Sequence, residues 1–188
     1  MSSIVIKGNT SGQIELAAPD VAGSTTLTMP TTDGTVITNN SAVGDLPKGP
    51  AFSLVKTSHQ TISTATNTLV TFDSIEFDVT SDADLTNNRV VPSVEGYYLI
   101  DFNFRFSGIT DGGQILSYIY KNGSEIKRGM QYNNGAAAGA HGNSTHLLYF
   151  NGTTDYLNVY IYQNTGANKN LISGSQYTTL SGLLVRGA

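Results

Sequence analysis

The residues of this chain that could carry reactive or metal-binding chemistry are few and loosely spaced. His141 and His146 stand five positions apart, and a zinc site would need at least a third ligand from elsewhere. Asp82 and Asp84, followed by Asn87 and Asn88, supply side-chain oxygens of the kind calcium takes. Serine, histidine and aspartate all occur, but no Gly-x-Ser-x-Gly elbow presents a nucleophile. Gly112-Gly113 and Gly139-x-x-Gly142 lack the strand-then-helix setting of a phosphate loop and read as turns. No carboxylate pair has the setting of a glycoside-cleaving site. The sequence therefore predicts no catalytic residues and no cofactor, with Asp82 and Asp84 as the metal candidates, for calcium.

Composition narrows the class further. Charged residues make up 13% of the 188, with a formal charge of −4 and a pI near 5.2. Phosphate binding needs clustered Lys and Arg, and the one close basic pair, Lys127 and Arg128, reads as a solvated turn. Nucleic acid is not an expected partner. The chain has no cysteine, so disulfides and thiolate sites are excluded. No apolar run approaches the roughly 20 residues of a membrane span or opens the sequence as a signal peptide. The expectation is a product assembled in the cytosol, without membrane insertion. Asn-x-Ser/Thr sequons at Asn9, Asn39, Asn122, Asn143 and Asn151 follow from a composition rich in Asn, Ser and Thr.

The elements that position these residues read as strands throughout. Arg89–Phe106 is the clearest. After Gly96 it alternates, with Tyr98, Ile100, Phe102, Phe104 and Phe106 on one face and Asp101, Asn103 and Arg105 on the other. That period of two predicts a strand with one face on a core. Ten residues at about 3.3 Å each would span about 33 Å. Phe52–Thr57 is a further strand, and Leu69–Phe77 reads as two short ones about Asp73-Ser74. Asn122-Gly123 joins Gln114–Lys121 to Glu125–Gln131 as a hairpin, because both turn residues must take positive φ. Ser81–Asn88 and the glycine- and alanine-rich Gly135–Asn143 read as loops. Thr145–Phe150, Tyr156–Gln163 and Tyr177–Arg186 complete eight to ten antiparallel strands. That pattern means a sandwich or jelly roll.

Two of these strands are apolar on both faces. Tyr156, Tyr160 and Tyr162 oppose Leu157, Val159 and Ile161, and Leu180 and Leu184 oppose Leu183 and Val185. One face can form the core, and the other must be covered too. Tyrosine suits such a contact, having a large ring and a hydroxyl that can find a partner. The expected contact between chains therefore comprises Tyr97, Leu99, Tyr156, Tyr160, Tyr162, Leu183 and Val185.

The first forty residues follow another rule. Gly12, Gly23 and Gly34 stand eleven apart, Leu16 matches Leu27, and Pro19 matches Pro30. Each unit reads as one short strand and one turn. So few large side chains cannot bury enough apolar surface to fold alone. Residues 1–40 are expected to form an arm, 41–51 a linker and 52–188 the sandwich.

Two resemblances build on these residues. Gly12 through Pro30 resembles a short repeat found near the N-terminus or along the shaft of phage structural proteins. Pro92-x-x-x-Gly96-Tyr97-Tyr98-Leu99-Ile100, Ile119-Tyr120-Lys121-Asn122-Gly123, the strand Tyr156–Asn164 and Ser181–Val185 together resemble a C1q/TNF-like domain over residues 52–185. The second resemblance implies a ten-stranded jelly roll that forms a homotrimer, a binding module without catalytic residues. It also implies that calcium can sit near a three-fold axis. No collagen-like repeat precedes the domain; the phage-type repeat stands in its place.

Together these predict a homotrimeric virion protein. Its arm would attach through Ile14, Leu16, Leu27 and Pro30 to other phage structural proteins. As a tail fibre or receptor-binding tip it would present Asp111, His141 and Asn143 to a bacterial surface receptor or glycan. As a capsid decoration protein it would clamp capsid subunits, a role that a short shaft favours. A secreted module binding protein or glycan is a further alternative.

Overall fold

A computed structural model of the chain describes residues 3–7, 13–17, 49–109, 113–129, 132–134 and 139–188. The chain divides into two compact units, Met1–Pro47 and Lys48–Ala188. In the first, β1 (Ser3–Lys7) and β2 (Gln13–Ala17) form an antiparallel pair, with Ile4 opposite Leu16 and Ile6 opposite Ile14. β2 lies in the first eleven-residue unit.

The second unit is built of strands. In chain order these are β3 (Ala51–Val55), β4 (Gln60–Ile62), β5 (Thr68–Leu69), β6 (Ser74–Asp78), β7 (Ala83–Asp84), β8 (Arg89–Val90) and β9 (Glu95–Phe106). They continue as β10 (Gly113–Lys121), β11 (Ser124–Arg128), β12 (Tyr132–Asn134), β13 (Ala140–Asn151), β14 (Leu157–Gln163), β15 (Lys169–Leu171) and β16 (Thr179–Gly187). One sheet runs β6-β3-β16-β9, with β13 on the far edge of β9 and β15 carrying β4. The other runs β11-β10-β14-β8-β7, with β12 beside β10 and β5 beside β14. β9 thus lies between β13 and β16, which are distant from it in sequence, and β14 lies between β8 and β10. Neighbours of this kind are the signature of a jelly roll.

The long strand expected over Arg89–Phe106 divides in two. β8 pairs with β14 in one sheet and β9 with β13 and β16 in the other. The chain crosses between sheets at Val91–Val94, where Pro92 has no N–H to give a ladder. Gly96 then admits the close pass of β16: a methyl group there would stand 2.4 Å from the Arg186 carbonyl. The bulge between Leu184 and Arg186 lies at the same place.

From β9 the expected core face is realised. Tyr98, Ile100, Phe102, Phe104 and Phe106 are all buried, and Phe72, Ile119, Phe150, Leu157, Val159, Ile161 and Leu180 meet them. Rings pack edge to face between Tyr98 and Phe150 and between Phe104 and Phe106. Two glycines make room for two rings: a methyl group at Gly142 would fall 2.1 Å from Phe104, and one at Gly182 2.4 Å from Phe52. Each glycine lies directly across the ladder from its phenylalanine. Gly142 therefore belongs to a strand, and the expected loop through Asn143 is corrected: β13 begins at Ala140.

Asn122 and Gly123 take φ of 52° and 77° and close the β10–β11 hairpin as the sequence predicts. That turn is tied to the β13–β14 connection by one carboxylate. Asp155 accepts hydrogen bonds from Asn122 Nδ2 (2.7 Å) and the Asn151 N–H (3.0 Å), and Lys121 Nζ lies 2.7 Å from it. Burial works to raise its pKa, but the bonds from Lys121, Asn122 and Asn151, with the Lys121 charge, hold it below the usual carboxylate value.

Two predictions follow from this packing. Phe104→Ala should lower stability by about 3–5 kcal/mol in urea denaturation, because it empties the space between Gly142 and Phe106. Asp155 has a folded pKa below its unfolded one, so its contribution is present above the unfolded value and is lost as pH falls through the folded one. Asp155→Asn should therefore destabilise at neutral pH and flatten the acid limb of a stability–pH curve. An unchanged limb would remove Asp155 from the account.

Candidate functional site

The outward face of β13, β9 and β16 is divided into an apolar half and a polar half. Ladder register places Leu147, Leu99 and Leu183 side by side across the three strands. One step further lie Tyr149 and Tyr97, whose ring centroids are 5.6 Å apart. Their exposures run from 38% for Leu99 and Tyr149 through 43% for Tyr97 and 49% for Leu183 to 55% for Leu147, with the bulged Val185 at 56%. An open groove of about 570 Å³ runs between Tyr97, Leu147, Val185 and Arg186. Full burial of an aliphatic side chain contributes about 1.5–3 kcal/mol, so this half of the face leaves several kcal/mol unrealised in a single chain. A contiguous apolar patch of this kind marks a contact with another molecule.

Beyond the leucine row the same face turns polar. Asp101 is the hub. Its carboxylate accepts from Asn103 Nδ2 (2.5 Å), Asn143 Nδ2 (2.7 Å) and Thr145 Oγ1 (2.5 Å). Asn143 Nδ2 also donates to Asn103 Oδ1 at 2.8 Å. Three amide and hydroxyl side chains are thereby fixed in one arrangement. At the end of the strand the Arg105 guanidinium lies 4.4 Å from the centroid of the Tyr177 ring, and His141 lies 6.0 Å from the same ring.

Of the seven residues expected at a chain-to-chain contact, Tyr97, Leu99, Leu183 and Val185 share this face. Tyr156, Tyr160 and Tyr162 do not. They lie at β14 on the outward side of the other sheet, since Leu157, Val159 and Ile161 supply its core side. There the Tyr120 and Tyr160 rings stand 4.3 Å apart, and the Arg89 guanidinium lies 5.2 Å from the centroid of the Tyr156 ring. Leu147 and Tyr149 were missed as members of the apolar half. Their alternation is visible in Thr145–Phe150, but only the register with β9 shows which neighbours they join.

His141 and Asn143, expected on a loop, stand on β13. His146 cannot join His141 at one metal, because an odd separation on a strand puts them on opposite faces. His146 instead places Nε2 2.9 Å from Ser144 Oγ, and burial, with the nearby Lys127 charge, lowers its pKa. Ser144 is itself buried, so the pair is closed to a substrate. Asp84 is occupied by Arg89 Nε (3.0 Å) and by Asn87 Nδ2 (2.7 Å). Asp82 is buried, with Oδ1 accepting from the Ser93 N–H. Its carboxylate adds to the burial that pushes the Tyr98 phenol up to about 12. Among the described residues no three His, Asp or Glu side chains gather as a metal site, and no helix is long and apolar enough to cross a membrane. The backbone of Ile14 and Leu16 is in β2; Leu27, Pro30 and Asp111 lie outside the described residues.

Comparison with known proteins places the architecture. No family model matches the chain, and no curated protein sequence matches it. Solved structures do. The globular domain of zebrafish complement 1qA superposes with a TM-score of 0.54 at 19% identity, over 74% of this chain and 99% of that one. The Eiger TNF of S. frugiperda gives 0.59 at 11%, over 75% and 96%. Murine APRIL at pH 5.0 gives 0.57 at 16%, over 73% and 100%. The fold is a C1q/TNF-like jelly roll.

If the apolar half is a contact surface, charge placed in it should change association and leave the protomer folded. The double substitution Leu99→Arg and Leu183→Arg should keep the β-sheet circular dichroism spectrum and elute from a sizing column as a smaller species than the unsubstituted chain. Identical elution of the two would rule the leucine row out as a contact.

Proposed function

We propose that this chain is a homotrimeric bacteriophage virion protein that attaches by its N-terminal arm and presents the jelly roll as a head. In the particle it serves as a tail fibre or receptor-binding tip. The observation that carries the trimer is the apolar half-face of β13, β9 and β16. Leu147, Leu99, Leu183, Tyr97, Tyr149 and Val185 stay a third to a half or more exposed in one chain, and neighbouring copies of this chain are their natural cover, since a heterologous contact between copies can close into a ring. A trimer is also what the resemblance to C1q/TNF-like domains implies. The virion reading rests on the eleven-residue repeat from Gly12 through Pro30, which resembles the repeat of phage structural proteins.

In this reading the arm residues Ile14, Leu16, Leu27 and Pro30 meet other phage structural proteins, and the head is left free for a bacterial surface receptor. Tyr156, Tyr160 and Tyr162 lie on the other sheet, so their part in the trimer is through a second surface of the chain, as a three-fold, heterologous contact requires.

Particles purified by density gradient from a producing culture should contain the chain, and antibody against the head should label the tail in electron micrographs. Label over the capsid would make it a decoration protein. The variant Ile14→Asp, Leu16→Asp should fold and remain in the soluble fraction. Wild-type chain found only in that fraction would overturn the virion reading.

A further inference from the structure

The polar half of the β13–β9–β16 face holds an open cavity of about 340 Å³, lined by Asn103, Phe104, His141, Gly142, Asn143, Ser175, Gln176, Tyr177 and Thr179. That volume falls in the range of small-molecule sites, roughly 300–1,000 Å³. Its lining extends the polar half-face with the segment Ser175–Tyr177. Its side chains are three amides, two aliphatic hydroxyls, a phenol and an imidazole, with no Asp, Glu, Lys or Arg; the Phe104 ring itself is turned into the core. The segment Ser175–Tyr177 forms one wall, and the strand residues Asn103, Asn143 and Thr179 the floor.

From this chemistry we infer that the cavity is a binding site for a neutral saccharide, one or two sugar rings in size. A sugar hydroxyl both donates and accepts, and it is matched best by groups that also do both, which amides and hydroxyls are. An ionic ligand such as a phosphate would call for charged donors, and the lining has none. An apolar ligand would leave the amides unpaired, at a cost in binding. The floor is set in advance. Asp101 holds Asn103 and Asn143 through hydrogen bonds of 2.5 and 2.7 Å, and Asn143 donates its second amide hydrogen to Asn103 Oδ1 at 2.8 Å. Asn103 keeps one N–H and acceptor capacity at Oδ1 for a ligand, while Asn143, with both N–H groups used, keeps acceptor capacity at Oδ1. The Tyr177 wall is held as well, by Arg105 stacked 4.4 Å from its ring centroid. A site whose side chains are already ordered loses less entropy when a ligand arrives.

The cavity and the leucine row share a face but occupy different stretches of β9. Leu99 and Asn103 are four residues apart, about 13 Å along the strand. The inference rests on the cavity and not on the virion reading, and it is tested on the purified full-length chain.

The test is a titration of the chain with glucose, galactose, mannose, rhamnose, N-acetylglucosamine and N-acetylgalactosamine, followed by saturation-transfer NMR and calorimetry. Glucose 6-phosphate and sialic acid serve as charged counterparts. At least one neutral sugar should bind, more tightly than either charged probe. Gln176→Ala removes an exposed side chain outside the strands and should weaken that binding by roughly fivefold or more. Tyr177→Phe should weaken it to a similar extent, with thermal unfolding unchanged in both variants. The inference is overturned if no sugar of the six binds, if a charged probe binds more tightly than all six, or if both variants bind as the wild type does.

Discussion

Everything in the jelly roll depends on β9 being covered on one face by a core and on both edges by strands distant from it in sequence. Its twelve residues pair along their whole length with β13 and over most of it with β16. Its inward face supplies five of the buried side chains that join the two sheets. A strand with that much fixed about it cannot shift register, because a one-residue slip would send Phe102 and Phe104 to the surface and Asp101 and Asn103 into the core. The same constraint dictates the other face. Once the register holds, Leu147, Leu99 and Leu183 must stand in a row on the outside, and Asp101 must stand next to Asn143 and Thr145.

The outward face is divided between two kinds of surface with different physical consequences. Apolar area is unselective and drives association roughly in proportion to its extent. The Asp101 network contributes little to such association, since its groups already satisfy one another, but it fixes side-chain positions, which recognition of a small polar ligand requires. The change occurs within a single step of the ladder, between Leu99 and Asp101. A chain that carried leucines along the whole strand would gain contact area and lose the preformed floor of the cavity.

Much of this was legible in the sequence, and the remainder was not for physical reasons. The alternation from Tyr98 to Phe106 and the Asn122-Gly123 turn are local signals, and the structure agrees with both. The division of Arg89–Phe106 into β8 and β9 was foreshadowed by Pro92 but not located, because a proline at a strand entrance and one at a crossover between sheets look alike. Gly142 misled: beside Gly135 and Gly139 it reads as a loop, whereas in the fold it is the space that Phe104 fills. Strands of two or three residues, such as β5, β8 and β15, have no period to detect. Above all, alternation shows that β14 and β16 are apolar on both sides without showing that their outward sides face in opposite directions. Hence alternation alone joins the tyrosines of β14 and the leucines of β9 and β16 in one set, although they stand on different sheets. The cavity was beyond reach for a similar reason: its walls come from β9, β13 and the Ser175–Tyr177 segment, and no spacing in the sequence joins them.

The central claim is that the apolar half-face is a surface between copies of this chain. Sedimentation equilibrium of the full-length protein at micromolar concentration tests it most directly. The account predicts a single species of three times the 19.9 kDa chain mass. A single species at the mass of one chain, stable across the concentration range, would contradict it.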